Sequence, residues 1–215
     1  MKSVISALSL AVALLVAAPV TAADGGKTTK TTPAKAAATM KVDPQASKIE
    51  WFATKVTGKH NGTVGLQGGT VEVTGDRLTG GSFVIDMKTI KVLDLQDAGY
   101  NAKLVGHLNS EDFFGVEKNP TSTFKITSVA PIKGAEAGKA NYNVTGDLTI
   151  KGHTNSVTFP ATVTVTTSQL TATGSLTVDR SKYDVRYGSN SFFDNLGDKA
   201  ISNDMVFNVN VVAKK

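Results

Sequence analysis

Alternation of apolar and polar residues, with no long amphipathic helix between the alternating runs, narrows the folds open to this chain more than any other feature. In GSFVIDMKTI, residues 81–90, Phe83, Ile85 and Met87 share one face, while Ser82, Asp86 and Lys88 lie mainly on the other. TSTFKITSV repeats the pattern with Phe124 and Ile126, and YNVTGDLTIKG sets Val144, Leu148 and Ile150 against Asp147, Thr149 and Lys151. Val157, Phe159, Ala161, Val163 and Val165 then alternate with threonines and Pro160. Leu170, Ala172, Leu176 and Val178 follow, and the last run carries Met205, Phe207, Val209 and Val211. A period of two belongs to a strand that buries one face. The run KIEWFATKVTG is ambiguous, because Ile49 and Trp51 compete with Phe52 and Val56 for the inner side. Asn61-Gly62 reads as a turn, with short strands expected near 64–66 and 70–74. The whole predicts an all-β fold of about eight or nine antiparallel strands, closed as a barrel or packed as a sandwich. A barrel of about eight strands either fills with its own side chains or holds one small ligand. Periodicity does not separate these outcomes, since core and pocket use the same inward positions.

The N-terminus sets an expected address. Lys2, an apolar run over residues 4–16 and small residues at Thr21, Ala22 and Ala23 have the layout of a cleaved secretory signal over residues 1–23. The apolar run is too short to span a bilayer as a helix. With no cysteine in the chain, disulfides, thiolate metal sites and a lipoprotein anchor are excluded. Residues 24–41, nearly all Ala, Thr, Lys and Gly, read as a disordered leader. A barrel domain over 42–215 and a periplasmic location are therefore expected. The formal charge is +5; Lys2 leaves with the signal, and Lys27, Lys30, Lys35 and Lys41 against Asp24 place +3 on the leader, so the domain is near +1. That distribution argues against a nucleic-acid partner. It leaves at most a weak peripheral membrane contact through the leader, at roughly 1 kcal/mol per lysine near an anionic surface. A homodimer stays open.

The segment GHLNSEDFFGVEKNPTSTF, residues 106–124, interrupts the alternation. Asn109 and Ser110 are N-cap candidates for a short helix, with Glu111 and Asp112 in its first turn. Phe113 and Phe114 would project from that turn onto an apolar surface, and Pro120 ends the excursion. His107 and Glu111 stand four apart, a spacing that can join two metal ligands on a helix. Gly106 and a cap at Ser110 argue against an unbroken helix across them, and no third ligand lies near, so no metal is assigned. STFK at 122–125 has the form of a serine nucleophile motif, but in a strand its Ser and Lys point to opposite faces. GSNSF at 188–192 lacks the second glycine of a nucleophile elbow, and no phosphate-binding glycine loop is present. His60 and His153 fall in or beside expected turns. Arg180, Lys182 and Arg186 read as solvated charges at a strand edge, with pairing to a phosphate or carboxylate as the alternative. No catalytic residue and no cofactor are assigned.

A helical plug carrying two phenylalanines would cover one apolar end of a barrel. KLVGHLNSEDFFGVEKNPTSTF followed by VTGDLTIKGHTNSVTFPA, with FVIDMKTI and KHNGTV, resembles the YceI-like family of lipid and polyisoprenoid-binding proteins, over about residues 40–214. DRSKYDVRYGSNSFFDNLGDKAI resembles the form found in one branch of that family. The resemblance implies a lipocalin-like antiparallel barrel, exported to the periplasm, with a long isoprenoid or fatty chain inside. It carries over His107, Leu108, Asp112, Phe113, Phe114 and Pro120 as plug positions. The inward positions expected to face such a chain are Phe83, Ile85, Phe124, Ile126, Leu148, Ile150, Phe207 and Val209. Two functions stay open: non-enzymatic transport or sequestration of a long-chain lipid, and a ligand-free interaction or stress-response module with a filled core.

Overall fold

The computed structural model describes residues 37–215, so the expected signal and the greater part of the leader lie outside the described residues. Among these, the strands run β1 (Ala37–Val42), β2 (Lys48–Lys55), β3 (Gly58–Thr74), β4 (Arg77–Val92), β5 (Thr121–Pro131), β6 (Tyr142–Ile150), β7 (His153–Val165), β8 (Gln169–Asp179) and β9 (Ile201–Lys214). One α-helix, α1 (Ala98–Asn109), stands between β4 and β5, and short 3₁₀ turns cover Arg180–Tyr183 and Gly197–Lys199.

Every pairing is antiparallel. The order β1-β3-β2-β9-β8-β7-β6-β5-β4 closes on itself because β4 also pairs with β3. β1 and β2 share one place in the wall. β1 pairs with residues 70–74 of β3 and with the last residues of β9, and β2 takes over along the rest of both partners. They are successive halves of one interrupted strand, so the nine strands make a closed eight-strand barrel. Among the described residues, closure leaves no free sheet edge, which is how an all-β domain avoids pairing with other chains.

Three expectations need correction here. Ala37 to Lys41, placed in the leader, are strand, and Met40 is only 1% exposed. A single methionine in an Ala/Thr run is too weak an apolar signal to read, and it is buried because β3 and β9 supply the other walls of its site. Asn61-Gly62 is not a turn: Asn61 pairs with Phe52 and Gly62 with Trp51 in mid-ladder, and the chain reverses after Lys55. Gly62 serves a close approach instead, since a Cβ there would run into the Trp51 ring and the Lys91 carbonyl. The two short strands expected near 64–66 and 70–74 are one, β3. Its inner face passes from Val64 and Leu66 to Val71 and Val73, a change of parity made by the bulge between Leu66 and Gly68. β4 makes the same change between Met87 and Ile90. Beside that bulge, Thr89 Oγ1 accepts the Gly65 N–H at 2.7 Å and donates to the Asp86 carbonyl at 2.6 Å, replacing ladder bonds the bulge removes.

The ambiguity of β2 is resolved by its partners. Ile49 and Trp51 are buried, and Phe52 and Val56 stay exposed. The register places the ends of β2, β4, β6 and β8 together with the starts of β3, β5, β7 and β9 at one rim of the barrel. Helix α1 and the 180–200 segment leave the wall at this rim.

Candidate functional site: the lumen and its plug

The barrel interior contains a cavity of about 200 Å³. A void needs only about 10–15 Å³ on that measure to take a water molecule, so this one accommodates a chain of many heavy atoms. Its wall is almost wholly apolar and reaches from Ile150 and Met87 near the plug to Val71 and Leu170 near the opposite rim.

The residues singled out in the sequence divide clearly. Phe83, Ile85, Phe124, Ile126, Leu148 and Ile150 lie on the cavity wall, on neighbouring strands β4, β5 and β6. Phe207 and Val209 of β9 lie on the wall across from them, and Leu108, Phe113 and Phe114 close it at the plug. His107 and Asp112 are not on the wall. They meet each other outside, His107 Nε2 to Asp112 Oδ2 at 3.1 Å. The sequence did not mark Trp51, Met87, Leu170 or Met205 as lumen residues, although Met87, Leu170 and Met205 alternate with the inward face of their strands and the parity of Trp51 was ambiguous.

The plug is built differently from the expected helix. Asp97, not Ser110, is the N-cap, accepting the Tyr100 N–H at 2.8 Å. Ser110 terminates α1: its N–H reaches the Gly106 and His107 carbonyls, and its hydroxyl donates to His107 O at 2.7 Å. Gly106 lies inside the helix, where it costs some stability but does not break it. Phe113 and Phe114 follow in the turns after the helix. Their N–H groups bond back to Ser110 O and Leu108 O, and Gly115 in the left-handed region (φ 53°) reverses the chain. The two rings are thereby turned into the lumen mouth, each under a tenth exposed. On the outer side His107 packs edge-on against Phe113 at 4.9 Å and Tyr187 at 4.5 Å, so the plug and the 180–200 segment form one aromatic cap. Asn101 Nδ2 anchors the helix by donating to the Val92 and Leu95 carbonyls.

Arg180 departs most from its expected role. It is 3% exposed and lies on the cavity wall, not at a solvated edge. Its Nε donates to Ser202 O at 2.9 Å, Nη1 to Val185 O at 2.8 Å and Nη2 to Ile201 O at 3.1 Å. These bonds tie the loop after β8 to the start of β9. Burial pushes its pKa below the usual arginine range, and the charge of Asp179 opposes that effect. Sequence alone could not find this: DRSKYDVR looks like a charged surface run, and only the return of β9 beneath it buries the guanidinium. Lys182 and Arg186 do stand outside, Arg186 pairing with Asp184.

Comparison with known proteins agrees with this architecture. A family model described as the YceI-like domain matches residues 40–213. The crystal structure of Burkholderia cenocepacia BcnA superposes with a TM-score of 0.55 at 26% identity, covering 80% of this chain and 99% of that one. A polyisoprenoid binding domain from Saccharophagus degradans, implicated in plant cell wall breakdown, superposes at 0.57 with 11% identity, over 81% of this chain and 97% of that one, a likeness of fold. The curated UPF0312 protein PA0423 of Pseudomonas aeruginosa is 44% identical over 55 residues, a stretch that spans 26% of each chain. The family match runs through β1 to β9 and takes in both the lumen and its plug, and this chain belongs to the YceI-like family.

Proposed function

We propose that this protein is a non-enzymatic, periplasmic carrier or store for one long-chain isoprenoid or fatty-acid-type lipid, held in the barrel lumen. The observation that carries the reading is the state of the inward apolar residues. Phe83, Phe124, Ile126, Leu176, Phe207 and Val209 point inward, yet all are only partly buried, because each borders the cavity; Phe83 and Phe124 stack on each other at 6.2 Å and still keep an open side. A filled core would bury them against neighbours at crystal-like density. An unfilled apolar space of this shape stays dry and favours an apolar guest.

The energetics select long guests. Each CH₂ removed from water contributes about 0.8 kcal/mol, and association costs about 4–15 kcal/mol. A chain of about five carbons therefore gains little, whereas one of a dozen or more binds without strong polar contacts. The likeness to a polyisoprenoid binding domain supports the same reading.

The test is denaturing extraction of protein purified from its native host, followed by lipid mass spectrometry, with Ile126→Trp as the lumen-filled control. A stoichiometric long-chain species in the wild type, reduced at least about tenfold in the control, is expected when a bulky ring occupies the ligand's space. Recovery of no such species from the wild type would leave the filled-core interaction module as the better account.

A further inference from the structure

We propose that the lipid carries an anionic head group, a carboxylate or a phosphate, and that Arg180 receives it at the plug end of the lumen. This rests on the lipid-binding reading above and names the chemical class of the ligand.

The argument begins with charge. Arg180 is the ionisable residue among those lining the cavity. Its three protein acceptors are backbone carbonyls, which satisfy hydrogen bonds but carry no net charge. Among the described residues no carboxylate makes an ion pair with it. The Asp179 carboxylate, whose charge it senses, is engaged by the Ser181 N–H at 2.9 Å and the Ser181 hydroxyl at 2.6 Å. An arginine stays protonated in proteins, so the cation is offset only in part, by the nearby Asp179 charge without a direct ion pair, and an arriving anion would complete the compensation. A fold that needed only a clamp between the loop and β9 could use neutral donors.

Geometry points the same way. A guanidinium has five N–H groups in a planar fork, and three of them are accounted for by protein bonds. The remaining two belong to the terminal nitrogens, and a fork of this kind matches the oxygens of a carboxylate or phosphate. Ser122 and Ser202, polar residues of the same wall, also belong to strand ends at the plug rim. From there to Leu170 and Val71 the lining is apolar except for Thr173. The lipid would then lie with its head under the plug and its tail toward the opposite rim.

The experiment uses the delipidated wild-type chain and four ligands of one chain length: oleate, oleyl phosphate, oleyl alcohol and methyl oleate, titrated calorimetrically near neutral pH. At least one anion should bind at least about tenfold tighter than the alcohol and the ester, as a desolvated charge-assisted pair requires. Whichever anion leads identifies the head group. Arg180→Gln, confirmed folded by its circular dichroism, should erase the preference while still binding the alcohol. Equal binding of all four ligands by the wild type, or an unchanged preference in Arg180→Gln, overturns the head-group proposal and leaves lipid binding standing. Failure of all four to bind overturns the head-group proposal together with the fatty-acid-type form of the lipid reading, and the extraction test then decides the isoprenoid form. If Arg180→Gln does not fold, the wild-type series decides.

Discussion

In the wall, Trp51 is buried because β2 alternates and its inner side is continuous with Phe207 on β9 and Gly62 on β3. In the plug, Phe113 and Phe114 are buried without any period: adjacent in sequence, they both reach the lumen because a helix end, two turns and Gly115 aim them there. The wall's burial is a local property repeated strand by strand. The plug's burial depends on a lumen to receive it. The two regions also differ outside. Val56, Leu93, Tyr100, Tyr187, Phe192 and Phe193 are exposed and sit in segments that leave the strands at the plug rim, whereas the wall exposes Phe52 of β2. The wall therefore carries most of the buried apolar contacts, and the plug rim carries most of the large exposed apolar side chains.

The largest effect that would test this division is in the wall. Gly62→Val must displace both the Trp51 ring and the Lys91 carbonyl, so it should cost about 3 kcal/mol in urea unfolding. A loss under about 1 kcal/mol would show that the wall yields more easily than its ladder suggests. Phe114→Ala in the plug should cost less, about 2 kcal/mol, because its void merges with an existing cavity rather than opening a new one. Its clearer signature is kinetic: bound lipid should dissociate faster than from the wild type in stopped-flow exchange. Unchanged release would mean that the lipid leaves by another route.

The smallest effect concerns the join between wall and plug. Asp94 follows β4, and its carboxylate accepts the Asn61 N–H at 2.9 Å and meets His60 Nδ1 at 2.8 Å. Burial works against its charge, but the bonds from Asn61 and His60 outweigh burial and hold its pKa below the ordinary value. A lowered folded pKa stabilises above the unfolded carboxylate pKa of about 3.9 and is lost as pH falls through the folded value. The stability gap between wild type and Asp94→Asn should thus close in strong acid. A gap that persists at low pH would assign the role of Asp94 to shape rather than charge.

Much of the wall was legible because alternation is written residue by residue. The inner faces of β6, β7 and β9 read directly from Val144, Leu148, Phe159, Val163 and Val211. Where two strands shift register, as at the bulges of β3 and β4, the period breaks, and a long strand reads as two short ones. Asn61-Gly62 misled because the pair favours a turn in isolation, whereas here the missing Cβ serves the packing of Trp51. Ser110 misled in the same way, since a residue that can cap a helix start can also close its end.

By itself the sequence determined an all-β chain with one apolar face per strand and a break at residues 106–124, because side-chain direction in a strand follows from position alone. It also determined the family, through long runs that chance does not assemble. Only the tertiary structure decided that the interior is hollow, that Met40 completes the wall, and that Arg180 faces the lumen. Each of these depends on how far apart the walls stand and on which distant strand returns beneath a given residue. Such distances arise from closure of the barrel and are not encoded in any short stretch of chain.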